Sequence, residues 1–179
     1  LLLLTLLSTF IYPNFIGLNN GARSLGMGDA FTALSDEPTA IFYNPAGLAR
    51  VNNISLITSR EELYNIDGLY SDMVALSLPT PYIRTGIGMQ QLSLLDTYSE
   101  QIIYLSGAGI IRWKNIPIRF GVSLKYESAK VKNYENANKS SNFDLDLGMI
   151  IDLNDNLFLG YSGRHILEPS FMFIEIEEK

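Results

Sequence analysis

Ile116-Pro117-Ile118-Arg119-Phe120-Gly121-Val122-Ser123-Leu124-Lys125-Tyr126-Glu127-Ser128 is the stretch on which the fold turns. Ile116, Ile118, Phe120, Val122, Leu124 and Tyr126 share one face of an extended chain. Pro117, Arg119, Gly121, Ser123, Lys125 and Glu127 share the other. Alternation this strict means one apolar environment and one polar one. Asn142 to Leu153 repeats it, with Phe143, Leu145, Leu147, Met149, Ile151 and Leu153 set against Asp144, Asp146, Gly148, Ile150 and Asp152. Both runs exceed the five or six residues that are typical, at roughly that number, of globular strands. They reach the roughly 9 to 11 residues that a tilted membrane strand needs.

Working outward, weaker strands fall at Ile54 to Glu61, Asp72 to Leu78, Tyr82 to Gln91, Tyr98 to Trp113 and Asn156 to Arg164. Gly86, Gly88, Gly107, Gly109 and Gly160 enter them, which suits strands that curve or that another backbone approaches closely. The connections are Glu62 to Ser71, Pro79-Thr80-Pro81, Leu92 to Thr97, Lys114-Asn115, Val131 to Ser141 and Asn154-Asp155. Long and short alternate, as they do in outer-membrane barrels with short periplasmic turns and longer outer loops. Tyr64, Tyr70, Tyr82 and Trp113 at strand ends fit the aromatic girdles of such barrels. A soluble two-sheet sandwich is the competing architecture, since alternation and short turns describe it too.

Composition bounds the function. Of 179 residues, 47% are apolar, with ten Tyr, nine Phe and a net charge of -6. The acidic balance argues against nucleic acid as a partner, because phosphate neutralisation needs clustered Lys and Arg. No apolar run is long enough for a transmembrane helix. Cysteine is absent, which removes disulfides and thiolate metal sites. The opening LLLLTLLSTFIYP has the composition of a secretory h-region, so residues 1–17 are read as the remnant of a signal peptide. A buried core strand has the same composition.

Between this opening and the strands lies Gly21 to Ala49, GARSLGMGDAFTALSDEPTAIFYNPAGLA, dense in glycine, alanine and proline. Small residues let backbone lie against backbone, and prolines fix where short turns start and stop. Gly28 to Leu34 is helix-compatible, and Asp36-Glu37-Pro38 starts a second short helix through Tyr43. Asn44, preceding Pro45, is pushed out of the helical region and ends it. Gly21 to Gly26 has the spacing of a phosphate loop, but Met27-Gly28 stands where Lys and Ser/Thr are needed. Gly26-Met27-Gly28 is half a dinucleotide fingerprint with no preceding strand.

The pair of motifs Gly26-Met27-Gly28-Asp29-Ala30 and Asn44-Pro45-Ala46-Gly47-Leu48-Ala49 resembles the N-terminal signature of the FadL/TodX-type outer-membrane transport proteins. In its wording it is nearer to the PorV-type branch of that superfamily. The resemblance implies an all-β, antiparallel transmembrane β-barrel with an N-terminal hatch of short helical turns at residues 18–50. Residues 51–179 then form the first half of the wall, with about seven strands. Single-chain barrels have even strand counts from about 8 upward, so the chain reads as an N-terminal portion of a longer protein. Gly26, Gly28, Asp29, Asn44, Pro45 and Ala46 are the expected hatch residues, and Arg119, Lys125, Asp144 and Asp146 are expected to face the lumen.

Two functions follow from the resemblance. One is passage of hydrophobic small molecules across a bacterial outer membrane, with the hatch opening a path. The other is a PorV-type role in protein secretion, with outer loops presented to cargo or translocon. Outer-membrane lipid, and a hydrophobic ligand or secretion-system proteins, are the expected partners. No enzyme, cofactor or metal is expected. His165, the only histidine, is placed in a surface loop beside Arg164 and Glu168. Asp144, Asp146 and Asp152 lie two or more residues apart along a strand face, which is not the EF-hand loop, and a wet lumen explains them. Polar lumen residues in the two long strands weigh against a fatty-acid path through this part of the wall.

Overall fold

The structure, a computed structural model, describes residues 21–95, 97–131 and 139–167. The signal-peptide reading of residues 1–17 lies outside them. Seven strands form one antiparallel sheet in chain order: β1 (Ser55–Glu62), β2 (Leu69–Pro79), β3 (Arg84–Leu94), β4 (Tyr98–Trp113), β5 (Ile116–Val131), β6 (Lys139–Asn154) and β7 (Leu157–Gly163). The sheet curls into a half-barrel with each strand hydrogen-bonded to the next. A single sheet replaces the two packed layers that a sandwich requires.

Register decides what each face carries. In the β5–β6 pair, Phe120 faces Met149, Val122 faces Leu147 and Leu124 faces Leu145, while Ser123 faces Asp146 and Lys125 faces Asp144. The first set lies on the convex face with Ile87, Ile103, Leu105, Leu159 and Tyr161, all substantially exposed. Met73, Ala75, Tyr104, Ser106, Ser123, Lys125, Glu127, Asp144 and Asp146 lie on the concave face and are buried. The usual distribution of a water-soluble protein is thus inverted across β4–β6, with apolar side chains outside and charged ones inside.

The N-terminal block lies on the concave face. It contains α1 (Ala22–Gly26), α2 (Ala40–Tyr43) and a 3-10 helix over Pro45–Arg50 that packs on β4, β5 and β6. The helix expected over Gly28 to Leu34 does not form; α1 sits one turn earlier. Gly28 and Asp29 adopt φ of 60° and 62°, left-handed values that stop a helix at once. The second helix is closer to expectation. Hydrogen bonds from the amides of Ala40, Ile41 and Phe42 to the carbonyls of Glu37, Pro38 and Thr39 begin it as a tight turn before α2. Asn44 is extended, with φ −155°, and ends α2 as a residue before proline should.

β2, β5 and β6 run further than the sequence alone marks and β3 runs further at its end, so the three long connections shrink to residues 63–68, 95–97 and 132–138; the short ones lie at 80–83, 114–115 and 155–156. Strict alternation of long and short therefore fails at 95–97, which is shorter than 80–83 before it. Lys114 and Asn115 both have positive φ, 48° and 68°, as a two-residue type I′ hairpin requires. Trp113 stays exposed beside this turn, with Lys114 Nζ 5.0 Å from its ring, and Tyr64 and Tyr82 are almost fully exposed at other strand ends.

Candidate functional site

Asn44 joins the block to the wall. Its Oδ1 accepts from the Ala46 amide at 3.1 Å, capping the 3-10 helix, and its Nδ2 faces the carbonyls of Thr32 (2.8 Å), Tyr161 (3.2 Å) and Met149 (3.3 Å). Met149 and Tyr161 are register partners in β6 and β7. A fully buried amide can reach them because Gly148 leaves the space: a Cβ there would strike Asn44 Oδ1. Gly121 does the same for Pro45 and Ala46, Gly86 and Gly88 for Ile41 and Phe42, and Gly160 for Ala33. Ser162 Oγ donates to the Tyr43 carbonyl at 2.8 Å, and Arg50 donates to the Ala33 carbonyl and to Asp152, both at 2.7 Å. Arg119 is ion-paired with the same Asp152. Outside the wall, the Asp36 carboxylate holds the Arg23 guanidinium above its ordinary pKa.

Higher on the concave face stands an ionic cluster. Lys125 Nζ lies 2.8 Å from Asp144 Oδ2, 2.8 Å from Asp146 Oδ1 and 3.3 Å from Glu127 Oε1, and all four side chains are nearly free of solvent contact. His165 completes it. Its Nδ1 lies 2.7 Å from Asp144 Oδ2, 3.2 Å from Lys125 Nζ and 3.5 Å from Glu127 Oε1. The chain after β7 is laid over the cluster by amide hydrogen bonds, His165 to Asp146 Oδ1 (2.9 Å), Leu167 to Asp144 Oδ1 (3.0 Å) and Ile166 to the Leu145 carbonyl (3.0 Å). Burial first, and the neighbouring ammonium second, hold His165 below the ordinary histidine range.

Among the expected hatch residues, Asn44, Pro45 and Ala46 meet the wall, and Asp29 accepts from the Tyr43 hydroxyl at 3.3 Å. Gly26 and Gly28 are exposed, and a Cβ on either would meet nothing within 4 Å. The close approach lies instead at glycines of the wall. Of those marked in the sequence, Gly86, Gly88 and Gly160 take part, whereas Gly107 and Gly109 have open space beside them. Arg119, Lys125, Asp144 and Asp146 all stand on the concave face, the last three buried. His165 is a correction: it is not a free surface-loop residue but is folded onto Lys125 and Asp144. Its φ of 55° turns the side chain inward after β7, an irregularity that re-aims a side chain much as a bulge does. No spacing in the sequence signals this, since the partners lie on β5 and β6, with Lys125 40 residues away. Glu127 belongs to the same cluster, where the sequence shows it only as one polar-face residue of β5.

What the fold defines is a class, an all-β curled half-barrel with an N-terminal block on its inner face and charge buried beneath. No protein-family model, no curated protein and no solved structure matches the chain.

Proposed function

We propose that the chain is part of a bacterial outer-membrane β-barrel of the FadL/PorV kind. In this reading its N-terminal block is a periplasmic-side hatch and its function is passage of hydrophobic small molecules. The observation that carries the reading is the inverted sheet: exposed Leu105, Val122, Leu147 and Leu159 outside, buried Lys125, Glu127 and Asp144 inside. An apolar convex face of this kind suits lipid, and a closed barrel satisfies every backbone group within the bilayer. The apolar part of the concave face, Met73, Ala75 and Ile102, belongs to the same buried cluster as Ile41, Phe42 and Leu48 of the block. Displacing the block would uncover a path along β2–β4 in which Met73, Ala75 and Ile102 stand among the uncharged Ser71, Ser77, Gln90 and Ser106, away from the charged cluster on β5 and β6.

A second reading, a PorV-type component of protein secretion, is favoured by the charged concave face of β5 and β6 and by the many bonds that pin the block. In that reading the hatch is a static plug, and the loops at 63–68 and 132–138 meet cargo or translocon.

The test uses the full-length gene with its own leader. Outer membranes are assayed for heat-modifiable migration and for uptake of a labelled long-chain fatty acid, native against Asn44→Ala. Heat-modifiable protein with uptake altered by Asn44→Ala supports passage. A heat-modifiable barrel that moves no lipid favours secretion, and a protein that stays in the soluble fraction overturns both.

A further inference from the structure

We propose that Glu127, Asp144 and His165 form a binding site for a divalent transition-metal ion of the zinc class on the concave face. One ligand atom from each, two carboxylate oxygens and an imidazole nitrogen, lies within 4.8 Å of the other two. Imidazole with carboxylates is a donor set that zinc accepts, at bond lengths of about 2.0–2.2 Å, so small torsional adjustments bring the three atoms to coordinating distance.

Two independent observations point to a cation. The first is Glu127: its side chain is fully buried, yet neither carboxylate oxygen has a hydrogen-bond partner among the described residues. A buried carboxylate without hydrogen bonds is costly, and Glu127 has only an ion pair through Oε1 to Lys125 Nζ at 3.3 Å, an ammonium shared with Asp144 and Asp146 at 2.8 Å each. The second is the crowding of acids: one ammonium is shared among three acidic side chains in a nearly dry cluster. Arg164, beside His165, is solvent-exposed.

Lys125 is the competitor for the site. Its ammonium stands within 3.3 Å of all three ligand atoms. When metal enters, it retains Asp146, which is not one of the three, as its partner. The EF-hand pattern does not cover this arrangement, because its ligands lie in one loop. These ligands come from β5, β6 and the segment after β7. The site does not depend on what meets the convex face, so its failure and that of the membrane reading are separate results.

The experiment is zinc titration by calorimetry of the full-length protein in detergent, after treatment with a chelator. Cobalt absorption reports coordination geometry, and each variant is checked for native heat modifiability. One zinc per chain is expected. His165→Ala and Glu127→Gln should each weaken binding at least about 100-fold, the upper end of what losing an outer-sphere partner costs. Asp67→Asn, in a distant loop, should bind as the native protein does. Lys125→Met removes the competing ammonium and should bind more tightly, a gain that misfolding cannot mimic. Native protein that takes up no zinc at millimolar concentration overturns the proposal. So does zinc binding that His165→Ala, Glu127→Gln and Lys125→Met all leave unchanged.

Discussion

At the scale of single residues, the contact between block and wall is made by what glycine lacks. A Cβ on Gly148 would meet Asn44 Oδ1 and the Ala46 amide, neither of which can move without breaking the cap. Gly148→Ala is therefore expected to destabilise by about 1–3 kcal/mol, the usual cost of overpacking. Gly109→Ala, beside open space in β4, should be neutral or stabilising by up to about 1 kcal/mol through the unfolded chain. Denaturant unfolding of the two variants checks the contrast, and equal losses would contradict it. The role of Asn44 was legible in sequence to the extent that a residue before proline must leave the helix. Its reach to Met149 and Tyr161 was not, because it spans 105 and 117 residues. The open space beside Gly26 and Gly28 is hidden for a related reason: glycine also serves where φ is positive or nothing is near, and sequence does not separate these uses from close packing.

Among elements, β5 and β6 were readable because Phe120, Val122 and Leu124 alternate with Gly121, Ser123 and Lys125, and register then pairs like with like across the two strands. β2 begins before, and β3 ends after, the limits that the sequence marks. Tyr70, Ser71, Leu92 and Ser93 carry no clean alternation, yet they pair in the ladder, which extends as far as partners are available on both sides. The connection before β4 shrank accordingly. The Lys114-Asn115 turn lends itself to a direct test, because both residues hold the left-handed φ that Asn-Gly adopts most readily. The double change Lys114→Asn with Asn115→Gly is expected to stabilise the β4–β5 hairpin by on the order of 0.5–1 kcal/mol. A raised denaturant midpoint with an unchanged slope is the expected result, and a lowered midpoint would show that the Lys114 contact with Trp113 matters more.

For the whole molecule, the two faces make opposite demands on one sheet, and a charge placed on the convex one tells which solvent it meets. Val122 is half-exposed mid-strand in β5. In a bilayer, Val122→Arg should cost about 2–4 kcal/mol near the midplane; in water a surface change of this kind usually falls within about 0.5 kcal/mol. Unfolding of the full-length protein from lipid vesicles measures it, and a cost no larger than the aqueous figure would count against lipid on that face. The curl of the sheet has a consequence for how it is built. Gly86, Gly88, Gly121, Gly148 and Gly160 leave bare backbone on the inner surface, and Ile41, Phe42, Asn44, Ala46 and Ala33 fill the gaps where side chains of the wall would otherwise stand. The fit runs both ways, because Asn44 finds the carbonyls of Met149 and Tyr161 side by side only where β6 and β7 are paired. Wall and block therefore take their final shape together, as two halves of one casting do.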